Sequence, residues 1–347
     1  MSRTVIPLVD HVRIHEPYRE RLLAVFLEAL KKGHLDGSGA AEKFEAAFAR
    51  LCGTAHCMAL NNGSSAKVMA LRLLGVQAGD EVLLPAFLPQ ENFQAVMELG
   101  AHPRWVDVDG DTAMMNPAQL ATRRTSTSKA IFFTHAFGQR GHVDLLKKAM
   151  GAGRLPIAED ATHSMGAVSV SHRQDRDRDI ICFAFSASSN LASLGSAGAL
   201  VGDFKDSAGP VHQMAQSYRM DALQAQFLYQ KIGDLVSQNT QRRDAAAYYM
   251  RQLQPFSDVS VLGRTDPAHV YYRFVVRVPF RDKLFQHLQA QGIETEIPFQ
   301  WLRGQAWMTE NPVADELLET CICLPLWPGI KESQQDKVVA GIKQFAK

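Results

Sequence analysis

The chain has 347 residues, 46% hydrophobic and 21% charged, values near the globular average and a length that suits about two domains. Its 37 basic and 36 acidic side chains leave a formal net charge of +1, so there is no electrostatic case for nucleic acid or an anionic membrane as partner. No run approaches the roughly 18 apolar residues of a membrane span, and "MSRTVIPLVDHVRIHEPYRE" lacks the apolar core and cleavage site of a signal peptide; the cytoplasm is the expected location.

In chain order, "EPYRERLLAVFLEALKKGHL" places Leu22, Val25, Phe26 and Leu30 at helical spacing and predicts a helix stopping near Gly33. "AAEKFEAAFARLCG" predicts a second amphipathic helix, with Phe44 and Phe48 four apart and Gly53 as its stop. "HCMALNN" and "GSSAKVMALRLLGV" read as strand, tight turn and helix; "DEVLLPAF" is a strand and "NFQAVMELGA" the helix behind it. "HPRWVDVD", "SKAIFFTHAFG", "LPIAEDATHSMG" and "DIICFAFSA" are further strands, with helix "HVDLLKKAMGAG" between two of them. Such alternation predicts an α/β domain whose mainly parallel sheet is covered on both faces. After Gly202 the pattern changes. "YRMDALQAQFLYQKIGDLVSQNTQRRDAAAYYMRQL" predicts one long connecting helical region, and strands "HVYYRFVVRV" and "ETCICLPLW" with two further helices predict a smaller α+β domain. The expected division is an N-terminal arm, large domain and connector over 1–242, and a small C-terminal domain over 243–347.

The five cysteines are scattered, and Cys321-Ile322-Cys323 lies in an apolar run that reads as core, so neither a disulfide framework nor a metal site is expected. Candidate chemistry sits elsewhere. The turn "NNGSS" opens a helix at Gly63, where free N–H groups and the positive end of the dipole suit a phosphate; Ser64 and Ser65 are expected as caps. Lys67 could add charge there, but a solvated surface lysine is the expected reading. "AEDATHSMGA" ends a strand with Glu159, Asp160 and His163, where ligands gather in open parallel sheets; a carboxylate there could hold a pyridine nitrogen protonated. His135 follows another strand and is open to two readings, acid–base group or a ring that satisfies a turn backbone.

Together these segments resemble the DegT/DnrJ/StrS family of pyridoxal phosphate (PLP)-dependent sugar aminotransferases. The resemblance is carried by "FEAAFARLCGTAHCMALNNGSSA", "GDEVLLPAF", "WVDVDGDTAMMNPAQL", "KAIFFTHAFGQRGHVDLL", "EDATHSMGA", "YRMDALQAQF" and "CLPLWPG". It implies the aspartate aminotransferase-like fold (PLP fold type I), with a seven-stranded-type sheet, a small C-terminal domain and a homodimer whose active sites lie at the subunit interface. It also implies amination of nucleotide-linked keto sugars with glutamate as donor. By position, Gly63 and Ser64 match the phosphate turn, Asp160 the partner of the pyridine nitrogen, and His163 the Gln/His that follows it.

The departures converge on one site. Counting from "GSAG" through Asn190-Leu191 puts Ser189 at the family's lysine, and the same register puts Ala184 at the phosphate-binding serine and Ser196 and Ala197 in the glycine turn. Leu88 and Pro89 fall at the threonine and the aromatic ring cover, Ser217 at an asparagine that reaches the partner's phosphate, and "GIETEIPF" around Glu296 lacks the family's basic and His-Tyr pattern. A serine cannot form the internal aldimine or shuttle the proton that follows, and Lys205, nearest in sequence, is expected at the far end of the next strand. The expected protein is therefore PLP-independent, an enzyme or binding protein for a nucleotide-linked sugar or related metabolite, with Ser189, His163, Glu91, His135 and Asp160 as its polar set. Two alternatives stay open: a dehydratase-like enzyme holding PLP or its amine form (PMP) weakly and noncovalently, and a catalytically dead regulatory subunit of an active homologue.

Overall fold

The computed structural model describes residues 5–33, 39–167, 179–202 and 209–346. Seven strands, β1 (His56–Leu60), β2 (Glu81–Pro85), β3 (His102–Val106), β4 (Ser128–Thr134), β5 (Ile157–Asp160), β6 (Ile180–Phe185) and β7 (Ala197–Gly202), form one sheet in the order β1-β7-β6-β5-β4-β2-β3. All pairings from β3 to β6 are parallel, and only β7 runs against its two neighbours. Parallel neighbours need helical crossovers that cover both faces, which is why the central strands read as continuous apolar runs. A second sheet, order β10-β9-β8, is antiparallel and built from β8 (Ser260–Val261), β9 (Phe274–Arg277) and β10 (Cys321–Leu324). The two-sheet architecture is the expected one.

The N-terminal arm holds α1 (His11–His15), α2 (Arg19–Lys32) and α3 (Ala40–Cys52). Gly33 and Gly53 end α2 and α3 in the left-handed conformation, the usual helix stop. Phe44 and Phe48 stack on each other and meet Phe183 and Phe185 of β6 edge-on at 4.9–5.6 Å, so α3 is fixed to the sheet by fully buried rings. Behind the sheet edge follow α4 (Gly63–Leu73), α5 (Gln90–Glu98), α6 (Pro117–Arg123) and α7 (Val143–Met150).

Beyond the large sheet come α8 (Pro210–Ser217), α9 (Ala222–Lys231) and α10 (Leu235–Leu253). The expected single connector is thus divided: a 3₁₀ turn over Ile232–Asp234 separates α9 from α10, and it contains Gly233, a poor helix former. The strand expected over "HVYYRFVVRV" is shorter too, because Tyr271 turns the chain at φ +46° and only Phe274–Arg277 pairs. The small sheet packs with α11 (Arg281–Ala290), α12 (Pro312–Thr320) and α13 (Glu332–Ile342). All five cysteines are free, four of them buried, and among the described residues no helix is long and apolar enough to cross a membrane and no His/Cys/Asp/Glu group could hold a metal ion.

Candidate active site

The carboxyl ends of β5 and β6 face the start of α4. Gly63 opens α4 directly against Ala184, where a Cβ would overlap the alanine methyl, and this close approach seats the helix on β6. The cap is not the expected one. Asn62 accepts a hydrogen bond from the Ser65 N–H at 2.7 Å, while Ser65 Oγ turns to Asn61 and Ser64 is exposed.

One turn into α4, Lys67 points inward. Its side chain is 5% exposed and its Nζ lies 3.4 Å from Oδ2 of Asp160, itself 2% exposed. The expectation of a solvated surface lysine was wrong: α4 lies across β5 and β6, and position 67 falls on the covered face beside Ala66, Val68 and Met69. Burial alone would raise the Asp160 carboxyl; the Lys67 ammonium, the Thr162 hydroxyl and backbone N–H, and His163 outweigh it and hold the group down at about 2. Thr162 Oγ1 also accepts the Ala184 N–H at 3.0 Å, tying the end of β5 to β6.

His163 stacks on Tyr272 with ring centroids 4.1 Å apart and planes 9° from parallel. Phe137 stacks more distantly on His163, and Phe299 on Phe137, making one column of rings. Phe137, Phe299 and Tyr271, next to Tyr272, all have φ between +46° and +57°, a strained backbone for non-glycine residues that the surrounding packing must impose. Burial lowers His163 to about 3, with Asp160 opposing and Arg273 and Lys67 assisting, so the ring is neutral at pH 7; its Nδ1 has no hydrogen-bond partner. Arg273 lies over Tyr272 at 4.4 Å and donates to Glu296 at 2.9 Å. Arg242, buried, leaves Nε and Nη1 unbonded, and burial together with the charge of Arg273 lowers it to about 9.

Ser189 is buried in the turn after β6. Its Oγ accepts the Ser186 N–H at 2.9 Å, lies 3.1 Å from the Ser186 hydroxyl and donates weakly to the Ala184 carbonyl at 3.4 Å. Asn190, next to it, donates to Asn239 of α10. Leu88 is buried with its carbonyl taken by Trp301 Nε1 at 3.0 Å, and Ser217 is exposed at the end of α8. Lys205 lies outside the described residues.

Two candidates fall away from this cluster. The His135 ring is fully buried; Nδ1 accepts the Gly141 N–H at 2.9 Å, which leaves Nε2–H to donate to Glu159 at 2.8 Å. Strand alternation points Glu159 to the sheet face opposite Asp160, so the contacts of His135 match the turn-satisfying reading. Glu91 is exposed in the first turn of α5 and makes no described contact with Asp160, His163 or Ser189. His135→Phe should cost about 1–3 kcal/mol in a urea melt and leave ligand binding unchanged; a binding defect without a stability loss would return His135 to the site.

This sheet order, with a carboxylate ending β5 and a glycine turn opening α4, defines a fold-type I aminotransferase frame. The chain belongs to the DegT/DnrJ/EryC1/StrS aminotransferase family, whose sequence model matches residues 18–343. It is 27% identical over 362 residues to a dTDP-3-amino-3,6-dideoxy-alpha-D-galactopyranose transaminase of Aneurinibacillus thermoaerophilus, covering 98% of this chain and 99% of that protein. It is 28% identical over 364 residues to a UDP-N-acetyl-3-dehydro-alpha-D-glucosamine 3-aminotransferase of Acidithiobacillus ferrooxidans, covering 99% and 98%. Among solved structures it is similar to DesV of S. venezuelae in complex with a ketimine intermediate, with a TM-score of 0.86, 26% identity and 98% of each chain covered.

The residues present do not fit pyridoxal phosphate in the way the resemblance implies. The carboxylate that should meet the ring nitrogen already holds an ammonium, and at about 4 Å in a medium of effective dielectric near 20 a second cation would be repelled by Lys67 by roughly 4 kcal/mol. One face of His163 is stacked on Tyr272. The hydroxyl at position 189 is tied into its own turn.

Proposed function

We propose that this protein is a member of the sugar-aminotransferase family that works without pyridoxal phosphate, as an enzyme or binding protein whose cleft serves a nucleotide-linked sugar or related metabolite. The observation that carries this reading is the Ser189 hydroxyl, placed by register at the family's lysine and engaged by Ser186 and Ala184. Lys67, a lysine that reaches the same cluster, is paired with Asp160. The transaminase names of the relatives, on dTDP- and UDP-sugars, support the ligand class. Arg242, with Nε and Nη1 unbonded among the described residues, and Arg273, held by Glu296, supply positive charge that suits its anionic diphosphate. Asp160, His163 and Ser189 are the groups proposed to meet the ligand, with Gly63 and Ser64 at its anionic end.

Calorimetry of dTDP- and UDP-sugars against the cofactor-free protein tests this, run beside a glutamate-dependent amination assay with added PLP. Micromolar binding of at least one sugar nucleotide without amination is expected; turnover of a keto sugar to an amino sugar contradicts it. Ser189→Lys alone should not restore transamination, since general acid–base and nucleophilic catalysis are commonly worth several powers of ten and Lys67 still holds the Asp160 carboxylate. Robust amination by that single variant would refute this.

The proposed assembly is a homodimer through the arm. On α2, Leu23, Leu27 and Leu30 are 54%, 62% and 51% exposed, with Phe26 beside them, an apolar stripe at helical spacing that one chain leaves uncovered. Leu27→Glu should shift sedimentation from dimer towards monomer; an unchanged sedimentation coefficient would place the interface elsewhere.

A further inference from the structure

We infer that the chain fills the nitrogen end of the cofactor cleft from within, Lys67 supplying Asp160 with the cation that the cofactor's ring would otherwise bring. This rests on the cofactor-independent reading above and adds its physical basis: a cofactor has been replaced by a side chain, and its site has not merely lost contacts. Three features of the molecule carry it. Lys67 and Asp160 form a buried ion pair, 5% and 2% exposed, with Nζ 3.4 Å from Oδ2. The other carboxylate oxygen, Oδ1, is taken by the hydroxyl and N–H of Thr162, so a ring nitrogen has to contend with the ammonium for Oδ2. His163, the neighbour that would orient a ring, has one face stacked on Tyr272.

The pair also explains why a carboxylate without a cofactor can stay ionised at this depth. A buried carboxylate persists only when an opposite charge and hydrogen bonds satisfy it. In a cofactor enzyme of this frame the protonated ring fills that need only while bound. Here the cation is covalently part of α4, so Asp160 is satisfied in every state of the protein. Thermodynamically Lys67 is a tethered competitor: any pyridine cation must displace it from the same oxygen, and removing it should raise affinity for such a ligand.

The test uses PMP, which has no aldehyde and cannot label surface lysines, titrated by calorimetry into the wild-type protein and Lys67→Ala. At least a tenfold gain in PMP affinity is expected in Lys67→Ala, and no gain in Lys67→Ala/Asp160→Asn, which lacks the carboxylate the ring needs. Should Lys67→Ala fold poorly, Lys67→Gln keeps a hydrogen bond to Asp160 without the charge, and a PMP-dependent rise in its melting temperature over wild type is the equivalent readout. Equal PMP affinity in wild type and Lys67→Ala, whether weak or tight, overturns the inference. Tight PMP binding by the wild type with a further tenfold gain in Lys67→Ala would preserve it while sinking the cofactor-independent reading; absence of binding in both would do the reverse.

Discussion

Lys67→Met is expected to lower the free energy of unfolding by about 3–5 kcal/mol at pH 7, because it leaves the Asp160 carboxylate buried without its counter-charge. The effect should depend on pH in a definite sense. In the wild type the folded-state Asp160 is depressed to about 2 from its ordinary 3.8, so its contribution is complete above pH 4 and is lost as pH falls through the folded value. That 3.8-to-2 shift corresponds to about 2 kcal/mol by linkage. Without Lys67, burial raises the carboxyl and the group takes up a proton at higher pH, which relieves the penalty. The stability gap between wild type and variant should therefore narrow from pH 7 to pH 4 in urea titrations. A gap that is absent, or constant across that range, would mean that the two groups are not paired.

Phe48→Ala should cost about 3–5 kcal/mol, the usual price of removing a buried aromatic ring. Phe48 is fully buried and touches Phe44 on its own helix and both Phe183 and Phe185 on β6. The loss loosens α3 from the strand whose end positions Ser186 and Ser189, so weakened ligand binding is expected alongside the lower denaturation midpoint. Phe48→Leu, which keeps most of the volume, should recover much of both. A Phe48→Ala variant with wild-type stability would contradict the seating of α3 on β6.

The pair Phe44/Phe48 also shows why the frame was legible in sequence. Apolar residues four apart, closed by Gly53, fit an amphipathic helix, and the continuous apolar runs of β4 and β6 fit strands of a sheet covered on both faces. Asp160 and His163 were legible for a related reason, since they end such a run, where ligands meet parallel sheets. Lys67 was not. A lysine in a helix near a cap is usually solvated, and nothing local in "GSSAKVMA" says that α4 would lie across β5 with that face down. The one available signal was the company it keeps: Ala66, Val68 and Met69 leave little polar surface around position 67 for a solvated side chain.

Tyr272 and Phe299 were missed because the ring column is assembled from four distant segments, three of them at strained turns (Tyr271, Phe137 and Phe299), which no periodicity announces. The partners of His135, Glu159 and the Gly141 N–H, are identified only once β4 and β5 are paired. Glu91 stood near the site in sequence but lies on the outward side of α5's first turn. In each case the deciding contact is nonlocal.

The most direct measurement is titration of the purified wild-type protein with PLP, followed by absorbance, borohydride reduction and peptide mapping by mass spectrometry. The account predicts no saturable spectral change at micromolar cofactor and no stoichiometric reduced adduct on any one lysine. A single lysine labelled to one equivalent, Lys67 or any other, would show that the protein holds its cofactor covalently after all.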